Sequence, residues 1–292
     1  MEGLIVKGIG GFYTVKDMLG AEYTLRAQGK LRRQRMTPRV GDRVVFSPGN
    51  GEEYGWLTEI MPRKNVLVRP PVANIDKMVL TVSAGSPKAD LLLIDRLLLL
   101  CYGVGIEPVL AVNKVDQDAG QAREIMEQYA PMGIVIFELS AQEGIGIEPL
   151  RLALKGFIHA FGGQSGVGKS TLINALYGLT LETGSLSAKI ERGKHTTRHC
   201  ELISVPGGGM VLDTPGFSLL ESDAIEPGEL KKRYPEFLPY DEKCRFLPCM
   251  HYKEPDCAVK QAVEAGKIHP LRHERYVALL EEMNERWQKR YD

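Results

Sequence analysis

One glycine-rich segment has the residue types and the spacing that bind phosphate. It reads Gly-Gln-Ser-Gly-Val-Gly-Lys-Ser over residues 163–170, between an apolar run that ends at Phe161 and the helix-like sequence 171–176. Glycines let such a loop curl so that backbone N–H groups converge on phosphate at a helix N-terminus. Lys169 would bridge the β- and γ-phosphates, and the Ser170 hydroxyl would ligate magnesium. The predicted nucleotide-binding residues here are Gly163, Gln164, Ser165, Gly166, Val167, Gly168, Lys169, Ser170 and Thr171.

A second segment is typical of a guanine-binding loop. It consists of Asn113, Lys114, Val115 and Asp116, and it directly follows the apolar sequence 109–112. The carboxylate of Asp116 would accept hydrogen bonds from N1–H and the exocyclic amine of guanine, whereas adenine offers neither donor. Because a buried acceptor left unpaired by the wrong base is costly, this loop would select GTP over ATP. Asn113 would hold the loop or the base edge, and the Lys114 side chain would cover the base.

A third segment supports this interpretation. Ser140 and Ala141 follow another apolar run and resemble the base-contacting element that completes a guanine site. Without that support, Asn-Lys-x-Asp could be a polar turn at the end of a strand. With both segments present, a GTP site is favoured.

The catalytic elements are expected between and after these segments. Asp213 follows an apolar run and begins an Asp-x-x-Gly pattern that ends at Gly216. Asp213 would reach magnesium through water, and the Gly216 N–H would sense the γ-phosphate. An ordinary Asp-x-Pro-Gly turn is the alternative. Thr196 and Thr197 are both candidates for the switch threonine that ligates magnesium.

The residue after Gly216 is Phe217, which cannot orient an attacking water. We therefore expect slow unassisted hydrolysis. His195 is the best candidate to place the water, and a solvated loop histidine is an equally weighted alternative.

The order of the motifs departs from that of ordinary GTPases, in which the phosphate elements come first. Here the guanine elements precede the phosphate loop, the switch and the Asp-x-x-Gly pattern. A single cut in the domain, with its old termini joined, produces this order without moving any site residue. The sequence thus predicts a circularly permuted GTPase domain.

Cysteine spacing indicates a metal site near the C-terminus. Cys244, Cys249, His251 and Cys257 supply three thiolates and one imidazole, the ligand set of a closed tetrahedral structural zinc site. No fifth ligand or open position is evident, so we expect no catalysis there. Buried free cysteines are the alternative.

A basic stretch near the N-terminus is a candidate RNA-binding surface. It contains six basic and no acidic residues, namely Arg26, Lys30, Arg32, Arg33, Arg35 and Arg39. A solvated loop is an equally good interpretation of the stretch alone. Because Lys plus Arg and Asp plus Glu both number 37, attraction to nucleic acid has to come from such a local patch.

The longest apolar region does not predict a membrane span. It covers residues 91–112 and is interrupted by Asp95, Arg96 and Glu107. The N-terminus lacks a basic region followed by a long apolar stretch, so no signal peptide is expected. We expect a cytoplasmic, monomeric protein.

The elements that would position these motifs fall into three domains. Short β-like runs over residues 1–68 predict an OB-type β-barrel that binds RNA. Alternating strands and helices over residues 69–222 predict the α/β GTPase domain with a largely parallel sheet. Residues 223–292 predict an α-helical zinc-binding domain.

The barrel, the permuted GTPase motifs and the Cys-x4-Cys-x-His-x5-Cys spacing together resemble the RsgA (YjeQ/YloQ-type) family of small-ribosomal-subunit-dependent GTPases. The resemblance implies an assembly factor that binds the maturing small subunit through rRNA, has its hydrolysis stimulated there, and leaves after hydrolysis. The family's Gly-x-His-Thr-Thr-Thr switch corresponds to residues 193–198, where Arg198 replaces the third threonine. Two other classes stay open, a GTPase acting on a non-ribosomal partner and an RNA-binding scaffold whose nucleotide is structural.

Overall fold

The computed structural model describes residues 1–33, 36–50, 53–179, 200–213 and 226–289. Five of the predicted site residues lie outside these ranges, namely Arg35, His195, Thr196, Thr197 and Gly216.

The N-terminal residues form a closed β-barrel, as predicted. In the described part of this region, its five strands are β1 (Glu2–Ile9), β2 (Phe12–Asp17), β3 (Glu22–Ala27), β4 (Arg43–Ser47) and β5 (Gly55–Ile60). The strand order is β1-β2-β3-β5-β4, and the β1–β4 pairing closes the barrel. Alternate residues point inward, so Val15, Leu25 and Leu57 are 0% exposed in its core.

One barrel element differs from the sequence-based expectation. No helical period is evident before residue 68, yet Gly29–Arg33 forms the short helix α1 between β3 and β4. Leu31 anchors it and is 2% exposed. Five residues are too few to display a 3.6-residue hydrophobic period, so the pattern could not reveal this helix.

The central sheet is parallel except at β12. Its strands are β8 (Lys77–Ser83), β9 (Glu107–Asn113), β10 (Val135–Glu138), β11 (Ile158–Gly162), β12 (Glu201–Ser204) and β13 (Met210–Asp213). They are ordered β10-β9-β8-β11-β13-β12. Helices on this domain are α2 (Leu91–Val104), α3 (Ala119–Tyr129), α4 (Ile147–Leu154) and α5 (Lys169–Tyr177). This is the predicted α/β domain.

Strand pairing and a short linking segment connect the barrel with the central domain. Strand β1 pairs with β12 at Lys7 and Glu201, whose side chains form a 2.6 Å ion pair. A short hairpin of β6 (Val66–Leu67) and β7 (Val72–Ala73) lies between the two regions along the chain. The barrel strands thereby extend the central sheet.

The C-terminal region is helical, as predicted. Its α-helices among residues 226–289 are α6 (Leu238–Asp241), α7 (Ala258–Glu264) and α8 (Pro270–Gln288), preceded by 3-10 turns at Pro227–Arg233 and Pro235–Phe237. Tyr234, Phe237 and Tyr276 form its aromatic core, with ring centroids 4.9 to 5.0 Å apart. Among the described helices, none combines the length and the apolar composition of a transmembrane span.

Candidate nucleotide site and metal centre

The predicted nucleotide motifs meet at one edge of the sheet. Asn113 ends β9, Ser140 follows β10, Gly163 follows β11 and Asp213 ends β13. Strands β9 and β11 lie on either side of β8, with β10 beside β9 and β13 beside β11, and all of these pairs are parallel. Because carboxyl ends of parallel strands meet at the same edge, motifs far apart in the chain surround one crevice.

The phosphate loop needs glycine at its two ends. Gly163 has a φ of +140° and Gly168 a φ of +94°. A Cβ atom at Gly163 would lie 2.2 Å from the Thr81 carbonyl oxygen, and one at Gly168 would lie 2.6 Å from Nδ2 of Asn113. Backbone conformation and close approach therefore both exclude larger residues.

Lys169 begins α5 and points back into the loop. Its Nζ donates to the carbonyl oxygens of Gly163 and Gln164, at 2.8 and 2.7 Å. Burial lowers the pKa of Lys169 to about 8. The ammonium group is thus held inside the loop, where phosphate oxygens could replace the two carbonyls as partners.

Asn113 ties the base loop to the phosphate loop. Its Nδ2 donates to the Val167 carbonyl at 2.9 Å, and its Oδ1 accepts from the backbone N–H of Ala141 at 3.0 Å. Asn113 is 2% exposed. The three segments predicted to surround guanosine phosphate are therefore joined through one side chain.

Lys114 and Asp116 lie at the open side of the same loop. Lys114, at a φ of +63°, donates to the carbonyl oxygens of Gly166 and Ser86. Asp116 is exposed. We expected a buried acceptor at this position; the carboxylate of Asp116 is instead accessible, and a bound guanine base would have to bury it.

The remaining predicted residues of this site are placed as follows. Ser140 is 1% exposed, and its Oγ accepts from the Glu143 N–H at 3.2 Å. Ser170 is 9% exposed in the first turn of α5. Asp213 ends β13, the strand next to β11. Val115, Ser165 and Thr171 lie in the described loops and helix around them.

Helix α2 connects the phosphate loop with the C-terminal region. At its N-terminus, the Gln164 side chain accepts from the Asp90 N–H at 3.0 Å. One turn further, Asp95 is completely buried and pairs with Arg272 and Arg275 of α8, each at 2.6 Å. In the sequence alone, Asp95 is only a break in the apolar region 91–112. A buried acidic residue in an apolar helix was the available signal for this contact.

The Cys/His cluster fits a tetrahedral zinc ion. Ligand atoms of Cys244, Cys249, His251 and Cys257 all lie within 4.8 Å of one another, and all four residues are buried. In a tetrahedral site, zinc bonds of about 2.3 Å to sulfur and about 2.0 Å to nitrogen place two sulfur atoms about 3.8 Å apart and a sulfur and a nitrogen atom about 3.5 Å apart. Cys244 Sγ lies 3.8 Å from Cys257 Sγ, and His251 Nδ1 lies 3.6 and 3.4 Å from these two atoms. The donor set and spacing are those of a structural zinc site.

A carboxylate orients the imidazole in this cluster. Oδ1 of Asp241 lies 2.8 Å from His251 Nε2, so Nε2–H donates to it and Nδ1 is directed to the sulfur atoms. Nζ of Lys231 lies 2.7 Å from the same oxygen. Asp241 was not predicted from the sequence, because its position in the chain follows no metal-ligand spacing.

The structure divides the predicted basic surface. Arg26 is exposed on β3, Lys30 is exposed on α1, and Arg32 and Arg33 belong to that helix. Arg39 instead donates to the Leu67 carbonyl, and burial lowers the pKa of Arg39. Arg26 and Lys30 therefore lie on the open surface, whereas Arg39 is held against β6.

The closed barrel, the joined guanine and phosphate loops and the zinc cluster define a circularly permuted GTPase. Comparison with known proteins agrees over almost the whole chain. The family model for the RsgA N-terminal domain matches residues 2–57, and that for the RsgA GTPase matches residues 60–223. The chain belongs to the RsgA GTPase family and hydrolyses GTP.

Individual relatives are similar from end to end. A small ribosomal subunit biogenesis GTPase RsgA from Geobacillus sp. (strain WCH70) is 46% identical over 290 residues, covering 98% of each chain. One of the same description from Ruminiclostridium cellulolyticum is 45% identical over 95% of this chain and 92% of its own. The crystal structure of YjeQ from Thermotoga maritima has a TM-score of 0.83 and 37% identity, covering 97% of this chain and 98% of its own. YloQ, described as a circularly permuted GTPase, has a TM-score of 0.80 and 36% identity, covering 98% and 95%.

Proposed function

We propose that this GTPase assists maturation of the small ribosomal subunit, that the subunit stimulates its hydrolysis of GTP, and that hydrolysis releases it. The observation that supports this most strongly is the 46% identity over 98% of both chains with a relative named for small-subunit biogenesis. Such a factor would bind rRNA and act as a monomer in the cytoplasm, where ribosomal subunits are assembled.

At the nucleotide site, this chain's residues would bind and orient GTP. Asp116 would accept from the guanine edge, and Asn113 would keep the base loop on the phosphate loop. Lys169 would exchange its two carbonyl partners for phosphate oxygens. Magnesium, held by Ser170, by Asp213 through water and by Thr196 or Thr197, would neutralise charge on the phosphates.

Water activation is assigned to a residue outside the described ranges. We propose that His195 places the attacking water once the subunit is bound, because Phe217 cannot do so. The Gly216 N–H would sense the γ-phosphate. If the partner supplies the water-positioning group instead, His195 is dispensable for stimulation.

The coupling between nucleotide and partner would run through two routes. Residues 214–225 connect Asp213 directly with the C-terminal domain, and α2 connects the phosphate loop with α8. Loss of the γ-phosphate at one end could therefore reposition the zinc domain at the other.

Co-sedimentation with purified small subunits tests this function. We expect retention with a non-hydrolysable GTP analogue, weaker retention with GDP, and no retention on large subunits. Lys169→Ala is the matched control, since it impairs the nucleotide site and should abolish the difference between the two nucleotides. Equal retention with both nucleotides in the unmutated protein would favour the RNA-binding scaffold with a structural nucleotide. Absence of retention in every state would favour a GTPase with a non-ribosomal partner.

A further inference from the structure

A row of aromatic and cationic side chains crosses the outer face of the barrel. Phe12 on β2 lies directly opposite Arg26 on β3, and Arg26 lies directly beside Trp56 on β5. Partners in register point to the same face of a sheet. Tyr54 precedes Trp56 by two residues and extends the row. We call Phe12, Arg26, Tyr54 and Trp56 the Arg26 platform.

The guanidinium group of the platform is held between rings. Its central carbon lies 4.4 Å from the Phe12 ring centroid and 5.3 Å from that of Tyr54. The two rings are themselves 4.9 Å apart at 61°. Two cation–π contacts thus fix a flat, charged group on the surface, with little conformational freedom left to lose when a ligand binds.

The platform is exposed and is not needed to fill the barrel. Trp56 is 46% exposed and Tyr54 49% exposed, whereas the neighbouring inward residues Leu25 and Leu57 are 0% exposed. The core is therefore completed by the alternate residues of the same strands. A large aromatic ring left in water beside a fixed cation is a feature that core packing does not explain.

The chemistry of this surface fits unpaired nucleobases. Bases stack on aromatic rings and on guanidinium planes, and a positive charge among the rings attracts the adjoining phosphates. In five-stranded barrels of this type, the face of strands 2 and 3 binds oligonucleotides, and Phe12 and Arg26 occupy those two strands. Lys30, exposed on α1, adds a second positive charge after β3. A paired helix presents phosphates but hides its base faces.

We propose that the Arg26 platform stacks unpaired bases of a single-stranded RNA segment. The proposal rests on the ribosomal function proposed above and makes it more specific. It assigns the contact to exposed base faces and not only to the phosphates of a duplex. Trp56 and Tyr54 provide stacking surfaces, and Phe12 holds Arg26 in position.

The two tryptophans of the chain, Trp56 and Trp287, allow a direct measurement. In a Trp287→Phe variant, Trp56 is the only tryptophan of the chain, so the tryptophan fluorescence reports on it alone. Titration with a 12-nucleotide single-stranded RNA should quench its emission saturably, whereas a fully paired RNA hairpin should quench it weakly. Affinity for the single strand should exceed that for the duplex at least about tenfold and fall with added salt.

Variants separate stacking from general apolar contact. Trp56→Leu keeps an apolar side chain without a π face and should weaken single-strand binding about tenfold or more, measured by anisotropy of labelled RNA. Trp56→Phe keeps a ring and should remain within about threefold. Leu19→Ala, at a residue 95% exposed in the β2–β3 turn, is the control and should change nothing. Thermal melting checks that each variant folds.

The outcomes distinguish this proposal from the proposed function. If Trp56→Leu binds single-stranded RNA as tightly as the unmutated protein, or if duplex binds equally well, the platform assignment is overturned. If Trp56→Leu instead loses binding to a ribosomal protein and not to RNA, the surface is a protein-docking site and the proposal is also overturned. Stimulation of GTP hydrolysis by small subunits is measured separately in the unmutated protein. Its absence would refute the ribosomal function whatever the RNA result.

Discussion

The side-chain amide of Asn113 donates to the carbonyl oxygen of Val167 at 2.9 Å, although the two residues are 54 positions apart. In this chain the base loop precedes the phosphate loop, so the contact closes a site whose halves are encoded in permuted order. The same asparagine accepts from Ala141, which places the third guanine element against the other two. The permutation has therefore changed the connections without separating the site residues.

Guanine selectivity should depend on Asp116. Asp116→Asn replaces an acceptor by an amide that can donate to the C2 carbonyl of xanthine but not accept twice from guanine. We expect GTP affinity to fall by about 1–3 kcal/mol and XTP affinity to rise, measured with fluorescent nucleotides. Asp118→Asn is the matched control, since Asp118 caps α3 by accepting from the Gln121 N–H at 2.8 Å. Unchanged GTP affinity in Asp116→Asn, or equal affinity of the unmutated protein for ATP and GTP, would contradict the assignment.

Zinc removal should affect the C-terminal region and leave nucleotide binding in place. Since four side chains fill the tetrahedral site, its metal contributes folding free energy locally. A strong chelator should make residues after 226 sensitive to protease while GTP still binds. Cys249→Ser should do the same, whereas Cys101→Ala, in α2 away from the cluster, should retain zinc. Metal analysis that finds no zinc in freshly purified protein would refute the site.

Breaking the buried contact between α2 and α8 should destabilise the docked C-terminal domain. Nη1 of Arg272 lies 2.6 Å from Oδ1 of Asp95, with side chains 1% and 0% exposed, and Nε of Arg272 lies 2.8 Å from Glu236. Arg272→Met removes the positive charge that pairs with the buried carboxylates of Asp95 and Glu236. We therefore expect the free energy of unfolding to fall by about 3–5 kcal/mol. Arg245→Met removes the exposed pair with Asp256 and should change stability by less than about 1 kcal/mol. Denaturant titrations measure both variants. An equal loss of unfolding free energy in Arg272→Met and Arg245→Met would show that burial of the ion pair does not determine the cost of breaking it.

His195 should matter for stimulated hydrolysis and not for binding. His195→Ala should keep GTP affinity and subunit binding but lose most of the stimulated rate in single-turnover assays. Arg198→Thr, which restores the family's third switch threonine, is an informative neighbouring variant and should retain stimulation. Undiminished stimulation in His195→Ala would assign water placement to the partner.

Sequence patterns predicted the barrel, the GTPase domain and the zinc-binding region because each of them has a recognisable local pattern. Alternation in the barrel, strand–loop–helix order around Gly163 and the Cys/His spacing are all local signals. Helix α1 was missed because five residues cannot show a helical period. The role of Asp95 depends on Arg272, which lies far away in the chain. Asp241 and His251 are only 10 positions apart, but their contact depends on how the backbone folds between them, which the ligand spacing does not show. That Phe12, Arg26 and Trp56 lie in one row could not be predicted, because it depends on the register of strands β2, β3 and β5.

We expect the small ribosomal subunit to switch on GTP hydrolysis by this permuted GTPase. The direct test is GTP hydrolysis by the unmutated protein alone, with saturating small subunits and with large subunits, followed against salt concentration. We expect slow hydrolysis alone, stimulation of at least about tenfold by small subunits only, and a steep loss of stimulation with salt. Equal rates in all three conditions, or equal stimulation by both subunits, would show that the small subunit does not specifically switch on this GTPase.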